Sequence, residues 1–197
     1  MKTVIIKYNA GNIRSVQFAL ERLGVNGIVS DDPAIIQSAD KVIFPGVGEA
    51  STAMQYLRER KLDQVITGLK QPVLGICLGM QLLCQHSEEN NTDCLGVFDV
   101  AVKRFESPVP NGLKIPQIGW NNITGLYSTL FEHVPENTYV YFVHSYYADL
   151  SPHTVATTNY VINYSSALQK DNFYAVQFHP EKSAEHGSRI IENFLKL

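Results

Sequence analysis

The 197-residue chain has a formal net charge of −3 and 45% hydrophobic residues, which is enough apolar material for the core of one domain over residues 1–197. It contains no apolar run of the roughly 20 residues that a membrane helix needs, no basic cluster to bind nucleic acid, and we expect no signal peptide before its first strand. Its three cysteines are too irregularly spaced for a disulfide framework or a zinc site, so we expect a cytoplasmic protein without a bound metal.

The first half of the chain alternates short apolar runs with longer segments of helical period. Residues 4–8 predict a strand, and residues 13–23 predict a helix with apolar positions on one face. Residues 41–44 predict the next clear strand, and residues 54–69 predict a helix with a break near Lys61. This alternation predicts parallel strands that are joined by crossover helices.

A buried strand over residues 72–76 leads into the segment Gly-Ile-Cys-Leu-Gly-Met-Gln at residues 75–81. The small residues Gly75 and Gly79 leave room for a sharp turn from strand to helix. Such a turn presents Cys77 at the start of the helix, where the helix dipole favours a thiolate. The turn also lies at the carboxyl end of a parallel strand, which is where open α/β sheets bind their ligands.

The second half is rich in aromatic and β-branched residues and in short turns, which predicts further strands, many of them antiparallel. The predicted strands cover residues 97–105, 115–118, 139–143, 155–158, 161–164 and 173–178. Residues 183–197 carry apolar side chains on one helical face and predict a closing helix. The whole pattern predicts an α/β fold with a mixed central sheet and helices on both faces.

One cysteine and one histidine stand out against the ordinary roles of these residues. Cys84 and Cys94 lie outside any glycine-flanked turn, so we interpret them as small buried hydrophobes. His179 follows an apolar run and precedes a proline and Glu181, which an extended segment would place on the same side as the histidine. His86, His133, His153 and His186 lie in polar or turn-forming sequence, and we interpret His144 as a packed or hydrogen-bonded residue and not a catalytic one. Cys77, His179 and Glu181 therefore predict a nucleophile, its base and the group that orients the base.

The two motifs, G-x-C-x-G-x-Q around Cys77 and H-x-E at His179, resemble those of class I, or triad-type, glutamine amidotransferases, and the resemblance covers nearly the whole chain. Within that family, four further segments are similar to the glutaminase subunit of imidazole glycerol phosphate synthase. They are Ala10-Gly11-Asn12-Ile13-Arg14-Ser15-Val16, Pro45-Gly46-Val47-Gly48, Pro116-Gln117-Ile118-Gly119-Trp120-Asn121 and Tyr141-Phe142-Val143-His144-Ser145-Tyr146. The residues before the first of them, Lys7-Tyr8-Asn9, depart from the Asp-Tyr-Gly that is usual in the family.

The resemblance implies a flavodoxin-like fold and the hydrolysis of glutamine without a cofactor or a metal. Cys77 would attack the side-chain amide, His179 would transfer the proton, and Glu181 would hold the imidazole. Candidate oxyanion donors are the backbone N–H groups of Val47, Gly48 and Leu78. Candidate glutamine-binding residues are Gly46, Gln81, Ser145 and Tyr146. Taken alone, residues 45–48 are equally typical of an ordinary strand-ending turn, and Gln81 of a structural helix residue.

The resemblance also implies a partner, a (β/α)8-barrel cyclase subunit that forms a heterodimer with this chain. The cyclase would use the ammonia to make imidazole glycerol phosphate and aminoimidazole carboxamide ribonucleotide in histidine biosynthesis. Candidate partner-facing residues are Asn12, Trp120, Tyr141 and Lys182. A lone tryptophan is usually a core residue, so the interface role of Trp120 depends on the resemblance. We expect low glutaminase activity until the partner is bound and carries its own ligand.

Two other functions remain open at this point. The nearer is a glutaminase that supplies another synthase, such as those for anthranilate, GMP or pyridoxal phosphate, although these lack, as a set, the segments Ala-Gly-Asn, Ile-Gly-Trp-Asn and Phe-Val-His-Ser-Tyr. The farther is a catalytically silent scaffold that only binds a partner. A scaffold has no chemical need for Cys77, His179 and Glu181 together, which favours the enzyme.

Overall fold

The computed structural model describes residues 1–9, 11–106 and 112–197, so Ala10 of the first family-like segment lies outside the described residues. The strands are β1 (Thr3–Ile6), β2 (Gly27–Ser30), β3 (Lys41–Phe44), β4 (Val73–Ile76), β5 (His86–Ser87), β6 (Thr92–Asp93), β7 (Ala101–Arg104), β8 (Gln117–Ile123), β9 (Thr138–His144), β10 (Tyr146–Ala148), β11 (Thr154–Asn159), β12 (Asn163–Lys170) and β13 (Phe173–Val176). The helices are α1 (Ile13–Arg22), α2 (Pro33–Gln37), α3 (Ala50–Glu59), α4 (Leu62–Thr67), α5 (Leu78–Leu83) and α6 (Ala184–Lys196).

The main sheet has the order β2-β1-β3-β4-β13-β12-β10-β7-β5-β6, and β11 pairs with β12 outside this path. Strands β2, β1, β3, β4 and β13 run parallel to their neighbours. From β13 to β12, β10 and β7 the pairing is antiparallel. Strands β8 and β9 form a separate antiparallel ribbon. The predicted mixed sheet with antiparallel additions is confirmed.

Alternating side chains of the parallel strands fill two cores, one on each face of the sheet. In β1, Val4 and Ile6 face the core that contains α2, α3, α4 and α5, whereas Ile5 faces the core that contains α1 and α6. All three side chains are fully buried, and each contributes roughly 1.5–3 kcal/mol of apolar transfer free energy. Helices therefore cover both faces, as the sequence predicts.

The parallel strands bring four loops to one edge of the sheet. Because β1, β3, β4 and β13 share a direction, their carboxyl ends meet at this edge. The loops that follow contain Asn12, residues 45–48, Cys77 and His179. The sheet thus collects residues that are up to 167 positions apart in the chain, as Asn12 and His179 are.

Several predicted boundaries were wrong. Of residues 97–105 only Ala101–Arg104 form a strand, because Phe98 N–H instead bonds to the Leu83 carbonyl at the end of α5. The run over residues 173–178 leaves the ladder after Val176. The long helix predicted over residues 54–69 consists of α3 and α4, and Lys61 separates them with φ of 57°, near the predicted break.

Candidate active site

Cys77 lies on a tight, strained turn between β4 and α5. Its backbone angles are φ 53° and ψ −108°, a conformation that costs a residue with a side chain about 1–3 kcal/mol. Two glycines make the turn possible. A Cβ atom on Gly79 would overlap the carbonyl oxygen of Phe44, and one on Gly75 would lie 2.7 Å from Leu83 Cδ1. The space that Gly75 and Gly79 leave beside Cys77 is therefore filled by the Phe44 backbone and the Leu83 side chain.

His179 and Glu181 form a buried pair directly after β13. Their side chains are 1% and 0% exposed, and His179 Nδ1 lies 2.7 Å from Glu181 Oε1. The expected extended segment was wrong, because Pro180–Lys182 form a 3-10 turn that brings the carboxylate back to the ring. A carboxylate only accepts, so Nδ1 carries the hydrogen and Nε2 is left for the Cys77 thiol.

The electrostatics of the site place a proton on His179. Burial by itself lowers the pKa of this histidine, but hydrogen bonds to Cys77 and Glu181 and the negative charges of both groups outweigh it and raise the pKa to about 10. These partners favour the charged form of the imidazole. A charged imidazole beside the cysteine favours the thiolate, which is the nucleophilic form of the sulfur.

Asn12 contacts the same carboxylate from the loop after β1. It adopts φ of 73° at the start of α1, and its side-chain Nδ2 donates a hydrogen bond to Glu181 Oε1. Sequence reasoning assigned Asn12 to the partner interface and missed this contact with Glu181. A left-handed backbone angle is a feature that asparagine tolerates well, but the sequence gives no signal for the distant carboxylate.

The main chain of His179 is fixed by Tyr141 in β9 and by Ser183. His179 N–H donates to the Tyr141 carbonyl at 2.9 Å. Tyr141 N–H donates to Ser183 Oγ at 2.9 Å, and Ser183 Oγ donates to the His179 carbonyl at 2.6 Å. These three bonds close a ring. Ser183 is the first residue of the predicted closing helix, where a serine suggests a cap, so sequence reasoning missed this role.

The glycine loop after β3 comprises residues 45–48. One of its carbonyl groups accepts a hydrogen bond from a candidate oxyanion donor. Leu78 N–H donates to the Gly46 carbonyl at 3.3 Å, and Gly11 N–H donates to the Val47 carbonyl at 3.2 Å. Gly48 follows with φ of 133°, an angle that favours glycine. A Cβ atom on Gly46 would overlap the Tyr8 hydroxyl. In this arrangement, the Leu78 N–H is not available to a substrate.

A cleft of about 290 Å³ opens in front of Cys77. Its walls bring together residues from five separate parts of the chain. They are Val47, Gly48, Cys77, Leu78, Gln81, Glu89, Pro116 and residues 143–146. All candidate oxyanion residues line this cleft, together with Gln81, Ser145 and Tyr146; Gly46 lies behind them and bonds to Leu78.

Glu89 is a cleft residue that sequence reasoning missed. Its Oε2 accepts a hydrogen bond from Ala50 N–H at 2.8 Å, at the start of α3. Partial burial raises the pKa of this carboxyl, the Ala50 N–H opposes the shift, and Glu49 adds to it. Nothing in the polar segment around Glu89 separates it from an ordinary surface glutamate, so no local signal could have identified it.

Gln81, His144 and Tyr146 meet at the inner wall of the cleft. Gln81 Nε2 donates to the Tyr146 carbonyl at 3.0 Å and to Gln177 Oε1 at 3.0 Å. His144 Nδ1 donates to the same Tyr146 carbonyl at 2.7 Å, and burial lowers the pKa of His144 to about 4. His144 is thus a buried, hydrogen-bonded residue, in line with the sequence interpretation.

The ribbon of β8 and β9 carries an exposed apolar face beside the site. Ile118, Trp120 and Tyr139 are 62%, 52% and 61% exposed. Trp120 packs edge-on against Tyr141, with ring centroids 6.0 Å apart. Lys182 is exposed on the nearby 3-10 turn. The single tryptophan is thus a surface residue, and the four candidate partner residues lie around the active site.

Within residues 1–9, 11–106 and 112–197, no cluster of histidine, cysteine and carboxylate side chains could hold a metal ion. Among the same residues, no helix combines the length and the hydropathy that are needed to cross a membrane.

Comparison with known proteins places these features in a family. The family model for class I glutamine amidotransferases matches residues 5–197. An imidazole glycerol phosphate synthase subunit HisH from Bacteroides fragilis is 59% identical over 197 residues and covers 100% of both chains. The HisH subunit from Yersinia pseudotuberculosis is 45% identical over 199 residues, again over 100% of both chains.

Solved structures support the fold. A crystal structure of a glutamine amidotransferase has a TM-score of 0.74 at 19% identity, and the match covers 98% of this chain and 97% of that one. A glutamine amidotransferase from Thermotoga maritima has a TM-score of 0.67 at 20% identity, and the match covers 100% of this chain and 83% of that one. At this identity the likeness concerns the fold alone.

Proposed function

This chain belongs to the class I glutamine amidotransferases, and within them to the HisH subunits of imidazole glycerol phosphate synthase, and we propose that Cys77, His179 and Glu181 are its catalytic residues. It is a glutaminase that serves histidine biosynthesis. The observation that carries the assignment of the residues is the buried Glu181–His179 pair directed at a cysteine on a strained turn.

The reaction begins with the Cys77 thiolate and the His179 imidazolium. The sulfur attacks the side-chain amide carbon of glutamine and forms a tetrahedral intermediate. His179 Nε2 gives its proton to the amide nitrogen, which leaves as ammonia and a glutamyl thioester remains. Water then attacks the thioester and gives a proton to His179, and glutamate leaves as the thiolate re-forms. Glu181 stabilises the charged imidazole throughout.

The oxyanion of both intermediates needs donors, and the glycine loop must turn to supply them. The peptide between Gly46 and Val47 directs its carbonyl at Leu78 N–H. Because the C=O and N–H groups of a trans peptide point in opposite directions, rotation of this peptide frees Leu78 N–H and directs Val47 N–H into the cleft. Gly46 directly precedes this peptide and, without a Cβ atom, permits the backbone rotation on its side. The arrangement described above is therefore the resting form.

The remaining cleft residues bind the rest of the glutamine molecule. Gln81 uses its NH2 group on protein acceptors, which leaves its Oε1 for the substrate. The Glu89 carboxylate lies in the same cleft and is the group that would pair with the α-ammonium. Backbone groups of Ser145 and Tyr146 line the wall. No cofactor is required for this chemistry.

The chain acts as a subunit of a synthase, with a partner subunit that uses the ammonia. We assign this partner to a (β/α)8-barrel cyclase that makes imidazole glycerol phosphate and aminoimidazole carboxamide ribonucleotide. It would dock as a heterodimer on the exposed face that contains Trp120 and Tyr141, next to Asn12 and Lys182. Direct transfer is needed because ammonia in bulk water becomes protonated and ceases to be a nucleophile. Three free cysteines fit a cytoplasmic location.

The test is glutamate release from glutamine by the purified chain, alone and with the cognate cyclase subunit plus its nucleotide substrate. We expect low activity alone, strong stimulation in the complex and no activity for Cys77→Ala. A chain that already turns over at the full rate alone would disprove the resting form. Glutaminase activity that does not respond to the cyclase would assign the chain to another synthase. Inactivity in every condition would favour a catalytically silent scaffold.

A further inference from the structure

We propose that Gln177 is a positioning residue for glutamine hydrolysis, which holds the Cys77 sulfur with its side-chain N–H and fixes Gln81 with its side-chain oxygen. The inference deepens the proposed function and rests on it.

Gln177 is a polar residue in the core beside the active site. It follows β13 directly and is 0% exposed, and its backbone N–H is bonded to the Ser166 carbonyl at 2.9 Å. A buried side-chain amide is costly unless its polar atoms have partners. Both partners of this amide, Gln81 and Cys77, belong to the site.

The orientation of the Gln177 amide follows from a backbone carbonyl. The Tyr146 carbonyl can only accept, so Gln81 must present Nε2 to it, at 3.0 Å. The same Nε2 lies 3.0 Å from the Gln177 side chain, which must therefore present its oxygen. This leaves Gln177 Nε2 to donate to Cys77 Sγ, at 3.7 Å. Three successive contacts fix the donor that faces the sulfur.

A donor at this position favours the charged sulfur. Cys77 Sγ also lies 3.8 Å from the Val143 carbonyl, an acceptor that suits a thiol and not a thiolate. The Gln177 N–H opposes that preference, because a hydrogen bond to an ionised acceptor is roughly twice as strong as one to a neutral acceptor. Loss of this donor would shift the balance towards the unreactive thiol.

The charged and titratable groups around the sulfur are few. His179 faces it directly with Glu181 behind the ring, and Glu89 and His144 line the cleft. Tyr8 stays neutral because burial, and Cys77 itself, raise its pKa. The Gln177 side chain is neutral, so it can stabilise the thiolate without adding a second titratable group.

The experiment compares wild type with Gln177→Met, which keeps the approximate shape and loses both hydrogen bonds. The rate of iodoacetamide labelling at Cys77 is followed by mass spectrometry from pH 5 to pH 9. Burial raises the pKa of both other thiols, that of Cys94 to about 12, so they react little. We expect the labelling profile of the variant to move to higher pH, with labelling about tenfold slower on the acid side of the profile.

Kinetics of the complex give a second readout. Gln177→Met should lower kcat through the sulfur and raise KM through the loosened Gln81. The matched control is Asn193→Leu, which removes another buried amide with two donated hydrogen bonds, to the Leu130 and Glu132 carbonyls, outside the cleft lining. It should lose stability yet keep the labelling profile, kcat and KM within about twofold, because local effects of distant sites are independent.

A measurement on the wild type keeps the inference testable if Gln177→Met does not fold. The side-chain amide signal of Gln177 in 15N NMR should shift as the sulfur ionises, and this step should vanish in Cys77→Ala. Two results would overturn the role of Gln177. One is a labelling profile, kcat and KM that are unchanged in Gln177→Met; the other is an amide signal that does not shift when the sulfur ionises. Failure of wild type to release glutamate would instead overturn the proposed function, whereas the labelling and NMR results would still stand.

Discussion

Two acceptors surround the His179 ring, and they decide where the proton of the site resides. Glu181 accepts at Nδ1 over 2.7 Å, and Cys77 also acts on the ring and raises its pKa. Both hold the proton on the ring, while burial works against them, and the result is a pKa of about 10. A base that already holds a proton is prepared to act as the acid that releases ammonia, which is the step that a poor leaving group makes difficult.

Cys77→Ala should lower the pKa of His179, because the hydrogen bond and the charge of the sulfur both raise it. The folded pKa lies above the ordinary value of 6.5, so the charged ring stabilises the native state below that pH, and this contribution is lost as pH rises towards 10. The variant should lose part of this stability and titrate at lower pH.

An NMR titration of the His179 ring measures this shift directly, and unfolding by urea at several pH values measures its effect on stability. Cys84→Ala is the control, since Cys84 bonds to the Met80 carbonyl and is a neutral core residue. A His179 titration that is the same in wild type and Cys77→Ala would contradict this account of the proton.

At the scale of single elements, the contact between α5 and the ends of β3 and β4 makes possible the turn that presents Cys77, the proposed nucleophile. The helix begins directly after Cys77, and its second residue, Gly79, touches the Phe44 carbonyl. No side chain fits between them. The ends of β3 and β4 therefore fix the strained turn. The packing of the fully buried helix α5 offsets the backbone strain at Cys77.

Gly79→Ala should destabilise the chain by about 3 kcal/mol, because the new methyl group collides with backbone that cannot rotate away. It should also displace Cys77 and abolish iodoacetamide labelling. Gly24→Ala is the matched control. It has φ of 75° but open space around the Cβ position, so it should cost about 1 kcal/mol and leave labelling intact. Urea unfolding of both variants gives the comparison, and equal losses would refute the collision.

Across the whole molecule, strand β9 links the proposed partner-facing surface to the proposed base, because its outer face belongs to that surface and its backbone is bonded to His179. The residues of β9 alternate, so Val140 and Phe142 are buried in the core while Tyr139 is exposed. The backbone of Tyr141 holds His179 from the inner edge of the same strand. A partner that binds the β8–β9 ribbon therefore contacts a strand whose backbone is hydrogen-bonded to His179.

Trp120→Ala should weaken the complex with the cyclase at least tenfold, since exposed aromatic residues at the centre of an interface carry much of its binding energy. The residual activity of the chain alone should not change. Tyr127→Ala is the control, because Tyr127 is 85% exposed but lies outside the ribbon. Isothermal titration calorimetry with the cyclase measures both. Equal affinities for wild type and Trp120→Ala would remove Trp120 from the interface.

The sequence predicts those parts of the molecule that depend on local pattern. Period and glycine placement predicted the parallel strands β1, β3, β4 and β13, the break near Lys61 and the turn at Cys77, but not the edge strand β2. The separate β8–β9 ribbon was not predicted, because sheet membership depends on which strands meet across long distances. The contacts of Asn12 and Glu89 were missed for the same reason: each side chain acts on a group that another loop brings to it.

The ring of hydrogen bonds through Tyr141, Ser183 and His179 separates the requirements of partner binding from those of holding His179 in place. On the Tyr141 side of the ring, only main-chain N–H and C=O groups take part, and every residue except proline carries both. The side chain at this position can therefore drift with the surface of a new partner while the anchorage of the base stays the same. A fold built in this way can change the enzyme it supplies without having to rebuild its chemistry.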